Sequence, residues 1–146
     1  MLGEFPNSSL RCYSRYQHGL IIYHSISYTR RGNSNSYDVC AKDDSNPVQS
    51  NLYYGQILFF SYVHDKPFLF LKRYVNSNNT LSSLLKPMED VSGWSIYIDK
   101  YYPLVRHSIF ELVIIPCSYI VSKCILFQLD REFSICTQID LEAEHD

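Results

Sequence analysis

Apolar and aromatic residues fall in short runs, YYGQILFF, FLFLKRYV and IVSKCILF among them, and turn-forming residues cut the chain between them at intervals of roughly 8–15 residues. No stretch keeps the three-and-four spacing of an amphipathic helix of ordinary length. The pattern therefore restricts the chain to an all-β fold of about eight short strands, a small antiparallel barrel with at most short helical turns or a sandwich. The 13 Tyr and 8 Phe suit a pleated, half-buried surface, and alanine is nearly missing. With 146 residues, 46% of them hydrophobic, the chain has one domain's length and apolar content enough for a core.

The order of the runs places the elements. Residues 1–12 mix Gly, Pro, Asn and Ser without period and are expected as a flexible arm; residues 13–140 form one barrel domain, and 141–146 an acidic tail. GLIIYHSISY alternates (Ile22, His24, Ile26 against Tyr23, Ser25, Ser27) and predicts a strand, with TRRGNSNS turning it into a second, SYDVCAK, in which Val39 and Ala41 share a face with Tyr37. The polar KDDSNPVQSN separates two halves of the fold. LYYGQILFFSYV is the longest strand expected, and Gly55 inside it predicts a bulge or a close backbone approach. His64 to Pro67 turn the chain into FLFLKRYV. TLSSLLKPMED holds one helical turn capped by Thr80. WSIYIDK alternates and predicts a strand with Trp94 largely buried, Pro103 interrupts YYPLVRH, FELVIIP reads as a buried strand ended by Pro116, and a last hairpin turns about Asp130 and Arg131.

Charge and cysteine content narrow the partners. A net charge of −2 and a pI near 6.2 give no long-range field for a polyanion, so DNA contact would have to be local and is not indicated by charge. The five cysteines are odd in number, form no CxxC pair and lie mostly beside apolar residues, where a reduced thiol packs as a small hydrophobe; an intracellular setting is expected. No apolar stretch reaches the ~18 residues of a membrane-spanning helix, so no membrane partner is expected. Neither Cys117 with Cys124 nor His18 with His24 has structural-zinc spacing, and no metal or cofactor is expected. In IVSKCILF, two-residue alternation sets Ile120, Ser122, Cys124 and Leu126 on one face and Val121, Lys123, Ile125 and Phe127 on the other. This predicts an inward Cys124 and a Lys123 whose stem lies along the outer wall.

Three functional readings remain. Tyr53, Tyr54, Phe59, Phe60, Tyr62, Trp94, Tyr97, Tyr101 and Tyr102 are too many rings for one small core. An exposed subset, Tyr53, Tyr62, Trp94, Tyr97 and Tyr101 with Asp99, is the candidate surface for a peptide or a methylated lysine; the plainer alternative is that these tyrosines cover the outside of a barrel. A nucleic-acid-binding barrel would interleave such rings with Arg11, Arg15, Arg30, Arg31, Lys72, Arg73 and Arg106. A nuclease-like enzyme would need Asp38, Asp65, Asp99 and Glu111 to converge, and no nucleophile, zinc or phosphate-loop motif accompanies them. No catalytic residue is assigned.

The order YGQILFF, FLFLKRYV, then ELVIIPCSYIVSKCILF resembles the bromo-adjacent homology (BAH) domain pattern over about residues 36–138. Its last signature reads here as Ile115, Pro116, Ile120, Val121, Ser122, Lys123 and Cys124. A similar module occurs in transposon-encoded and transposon-derived proteins. The resemblance implies a non-catalytic barrel that binds chromatin or protein, with a protein or histone-tail peptide as partner and a nuclear location. The aromatic block such domains carry after the second strand is replaced here by NSNNTLSSLLKPMED.

Overall fold

A computed structural model of the chain describes residues 11–27, 38–42, 52–85 and 93–139. Among these lie β1 (Arg15–His18), β2 (Ile21–His24), β3 (Asp38–Lys42), β4 (Leu52–Val63), β5 (Lys66–Asn76), α1 (Leu81–Leu84), α2 (Ser95–Tyr101), β6 (Leu104–Pro116), a 3-10 turn (Cys117–Tyr119), β7 (Ile120–Gln128) and β8 (Phe133–Gln138). Strands β3-β4-β5-β6-β8-β7 make a closed, wholly antiparallel barrel, with β7 returning to pair with β3. The chain is therefore an all-β barrel, with two short helices among the described residues. Of the expected terminal segments, the acidic tail and most of the arm fall outside the described residues, as do the turn at 28–37, the polar stretch at 43–51 and Pro87.

Local chemistry explains the hairpins. His64 and Asp65 both take positive φ (49° and 62°), the backbone of a two-residue turn that follows the right-handed twist of β4 and β5. Between β7 and β8 the Asp130 carboxylate accepts from the amides of Glu132 and Phe133, each at 2.7 Å. Gly55 is a site of close approach; the register irregularity of β4 comes two residues later, between Ile57 and Phe59. Thr80 caps α1 as expected, exchanging hydrogen bonds with Ser83.

The core has two parts, one on each side of the wall. Cys40, Tyr54, Tyr74, Val105, Cys124 and Cys136 take one residue from each of the six barrel strands and fill its interior. On the other face of β3 and β4, Val39, Ala41, Ile57 and Phe60 pack with Leu69 and Leu71, and Tyr16, Ile21 and Tyr23 of the β1–β2 hairpin pack there too. β3 is thus buried on both faces. The hairpin is tied down by backbone bonds between Tyr13 and Phe60 (2.7 and 2.8 Å) and from Ile26 to Ile57 (2.9 Å).

Three expectations are corrected. The hairpin proposed between GLIIYHSISY and SYDVCAK does not form: β2 pairs with RYQH, while β3 pairs with β4 and β7. WSIYIDK is helix α2, and Trp94 is 66% exposed. β5 has β4 on one edge and β6 on the other, so a strand at 94–100 would find no ladder there, whereas a helix bonds its own amides, Ile98 to Trp94 and Tyr102 to Ile98 at 2.9 Å. FELVIIP is the second half of the single strand β6, which starts after Pro103, and Phe110, Leu112 and Ile114 are exposed on it.

Candidate binding cleft

The sequence-predicted residues scatter over the fold. Tyr53 is not on the surface: it is 5% exposed in the core that packs Val39, Ala41, Ile57 and Phe60, with the Arg73 guanidinium 4.9 Å over its ring. Tyr62 is exposed near the β4–β5 turn, edge-on to Tyr13 at 5.5 Å. Trp94, Tyr97 and Tyr101 do come together, because positions three and seven apart on α2 share a side; the Trp94 and Tyr97 rings are 6.3 Å apart. Asp99 is held inside the protein's own framework, accepting from the Ser82 amide at 3.0 Å and the Ser82 hydroxyl at 2.6 Å. Those two bonds dock α2 on α1.

A cleft of about 680 Å³ opens between the end of α2 and strands β4, β7 and β8. Lys100, Tyr101 and Pro103 form one side, Leu52 and Val121 the apolar walls, and Tyr54 and Gln138 supply hydroxyl and amide groups. A second lobe of about 270 Å³ shares Leu52, Tyr54 and Pro103 with it and runs toward Thr80 and Asp99. Burial raises the Tyr54 phenol's pKa, so the group stays a neutral donor. Ser122 is buried, and its Oγ has no hydrogen-bond partner among the described residues. A buried hydroxyl without a partner is costly, and this one lies behind the cleft lining, closed off from solvent. Lys100 is the only charged side chain among the described residues on the larger lobe; its ammonium stands 5.4 Å from the Tyr101 ring.

Sequence reasoning named Tyr101 but missed Lys100, Pro103, Ser122 and Gln138. One signal was present: alternation in IVSKCILF put a serine in an otherwise apolar inward row. The four acidic residues weighed for catalysis stand apart: Asp38 in the barrel interior, Asp65 at the β4–β5 turn, Asp99 on α2, and Glu111 on β6 opposite Arg73. Asp38 is buried beside the Tyr74 hydroxyl (3.4 Å), and desolvation pushes its carboxyl up to about 7. The thiols of Cys40, Cys117, Cys124 and Cys136 are all buried and unbridged, and only Cys12 is exposed. No helix among the described residues is long and apolar enough to cross a membrane.

No protein-family model matches the chain, and no curated protein or solved structure is significantly similar to it.

Proposed function

We propose that the chain is a non-catalytic protein-binding module that holds a peptide segment in the two-lobed cleft beside α2. The carrying observation is the cavity itself, of ligand size and walled by Leu52, Val121, Tyr101 and Pro103 with Lys100 at its side. Tyr101 and Pro103 offer flat apolar contact, and the Gln138 amide, which also donates to the Cys40 sulfur at 3.6 Å, lies beside Tyr54 at the polar end of the cleft.

The charge of the larger lobe favours one class of peptide. Lys100 attracts a carboxylate, no acidic residue among the described residues lines that lobe, and a methylated lysine would meet a like charge. Among the partners implied by the BAH resemblance, an acidic or neutral protein segment suits the lobe better than a basic histone tail. Chromatin as the setting, a nuclear location and a transposon origin belong to the same proposal and rest on the likeness in the order YGQILFF, FLFLKRYV and ELVIIPCSYIVSKCILF.

Calorimetry against acidic, neutral and methyl-lysine histone peptides, with a short DNA duplex alongside, tests the reading. Acidic peptides should bind, and Lys100→Glu should weaken them about tenfold. Val121→Trp, which fills the cleft from an exposed wall position, should abolish binding. Preference for the duplex, or peptide binding that survives both substitutions, would move the site elsewhere.

A further inference from the structure

The barrel closes with only a small part of β6. Toward β8, β6 pairs through Leu104, Val105 and Arg106, with one further bond from the His107 amide to the Glu132 carbonyl at 3.0 Å; toward β5 it pairs again from Phe110 to Pro116. Between these stretches the register breaks, since Tyr74 stands opposite Phe110 and Val75 opposite Arg106, so 107–109 bulge out. From Phe110 onward, β6 has a neighbouring strand on one edge and none on the other among the described residues. Leu112 is 69% exposed there, flanked by exposed Phe110 and Ile114.

The backbone groups on that open edge follow from the β4–β5 turn. A two-residue turn at His64 and Asp65 makes Val63 and Lys66 a hydrogen-bonded pair, so along β5 the even-numbered residues bond toward β4 and Leu69, Leu71 and Arg73 toward β6. Their partners on β6 are Ile115, Val113 and Glu111. Phe110, Leu112 and Ile114 therefore turn their N–H and C=O groups outward, on the same three residues whose side chains are exposed. Pro116 falls in the outward set, where its missing N–H costs the β5 ladder nothing.

We infer that this edge is a self-association site, at which two copies of the chain pair β6 to β6, antiparallel, about a twofold axis through Leu112. In that register Leu112 faces Leu112 of the second copy, and Phe110 faces Ile114 twice, all on one side of the joined sheet. Each facing pair matches an apolar side chain with an apolar one, and each lies where the outward backbone groups can exchange two hydrogen bonds. The apolar row already formed by Phe59 stacked on Phe70 (4.1 Å), with Ile114 beside it, continues onto Phe110 of the second copy.

Charge selects this register over its neighbours. Glu111, the one ionisable group on the stretch, faces Val113 of the second copy, and the two glutamates sit diagonally at about 8 Å. Moving the axis to Glu111 would set them face to face; moving it to Val113 would bring Pro116 opposite Phe110 and lose a bond. Lys72, whose ammonium is 4.3 Å over the Phe110 ring, is separated from its symmetry mate by three strand spacings, about 14 Å, beyond the ~8 Å screening length at physiological salt. An extended peptide of unrelated sequence would have to match the same pattern by chance; a second copy supplies it by symmetry. Because each copy uses the one long open edge of β6 found among the described residues, the assembly closes at two.

Sedimentation velocity on the full chain, from low to several hundred micromolar, tests this. A concentration-dependent dimer is expected. Leu112→Lys and, independently, Ile114→Lys should each weaken it about a hundredfold or more while the far-ultraviolet spectrum stays native, since both residues are exposed. Glu111→Gln should change it by less than about threefold. A wild-type chain that is monomeric throughout overturns the proposal, even if it binds apolar peptides along the edge. So does a dimer that survives both lysine substitutions, or one that Glu111→Gln tightens tenfold or more, which would place the axis at Glu111.

Discussion

Gly55 on β4 lies against Lys72 on β5 so closely that a Cβ at position 55 would stand 2.6 Å from the Lys72 carbonyl oxygen and 2.7 Å from Cγ of Leu71. The oxygen belongs to the main chain of the barrel wall and has no rotamer with which to move away. Gly55→Ala should therefore strain the β4–β5 pairing and cost about 1–3 kcal/mol, read as a lower urea midpoint with an unchanged slope. An unchanged midpoint would mean that β5 yields to the extra methyl group.

Cysteine labelling probes the interior. Burial pushes the Cys117 thiol up to about 12 and raises that of Cys136; Cys124 is held protonated first by its hydrogen bond to Cys40 and then by burial. A hydrogen bond with Cys124 shifts the Cys40 thiol down, but Cys40 is fully buried. A thiol reagent attacks the thiolate and must reach it, so at neutral pH Cys12 should react at once and the other four only as the barrel opens. Titration in native buffer and again in denaturant should count one fast thiol and then five. A second fast thiol assigned to Cys124 would contradict the packing of IVSKCILF.

Trp94 gives the opposite signal. With its side chain mostly in water, its native emission should lie near that of the unfolded chain, and iodide should quench it nearly as well in both states. A strongly blue-shifted native spectrum would bury α2 against something.

What the sequence made legible was local. Alternation in IVSKCILF put Cys124 inside and left Val121 and Phe127 exposed; HDKP gave its turn, and Thr80 its cap. What it hid depended on distant edges. Seven residues of WSIYIDK fit a period of two as well as a helical turn, and only the occupied edges of β5 decide between them. RYQH has no apolar alternation and is a strand because Ile21–His24 lies alongside. FELVIIP is apolar on both faces, as a buried strand would be, yet the barrel turns away from it after Arg106. The cleft was hidden for the same reason, since Lys100, Ser122 and Gln138 meet only when α2, β7 and β8 are in place.

Asp38 makes stability depend on pH, in a direction unusual for a carboxylate. Its folded pKa of about 7 lies above the ordinary 3.8, because burial disfavours the charge more than the Tyr74 hydroxyl favours it. Below 3.8 the group is protonated in both the folded and unfolded chain and contributes nothing; between 3.8 and about 7 the folded state holds the extra proton, so stability falls as pH rises. Above that window the cost is level, on the order of 4 kcal/mol at most, and smaller where the interior relaxes around the charge. Asp38→Asn keeps an acceptor for Tyr74 and removes the charge. It should leave stability near pH 4 unchanged, raise it by about 1–3 kcal/mol near pH 8, and flatten the decline between. Urea unfolding of both chains across that range reads the effect, and parallel pH profiles would mean that Asp38 carries its charge in the folded barrel with a partner or water beside it.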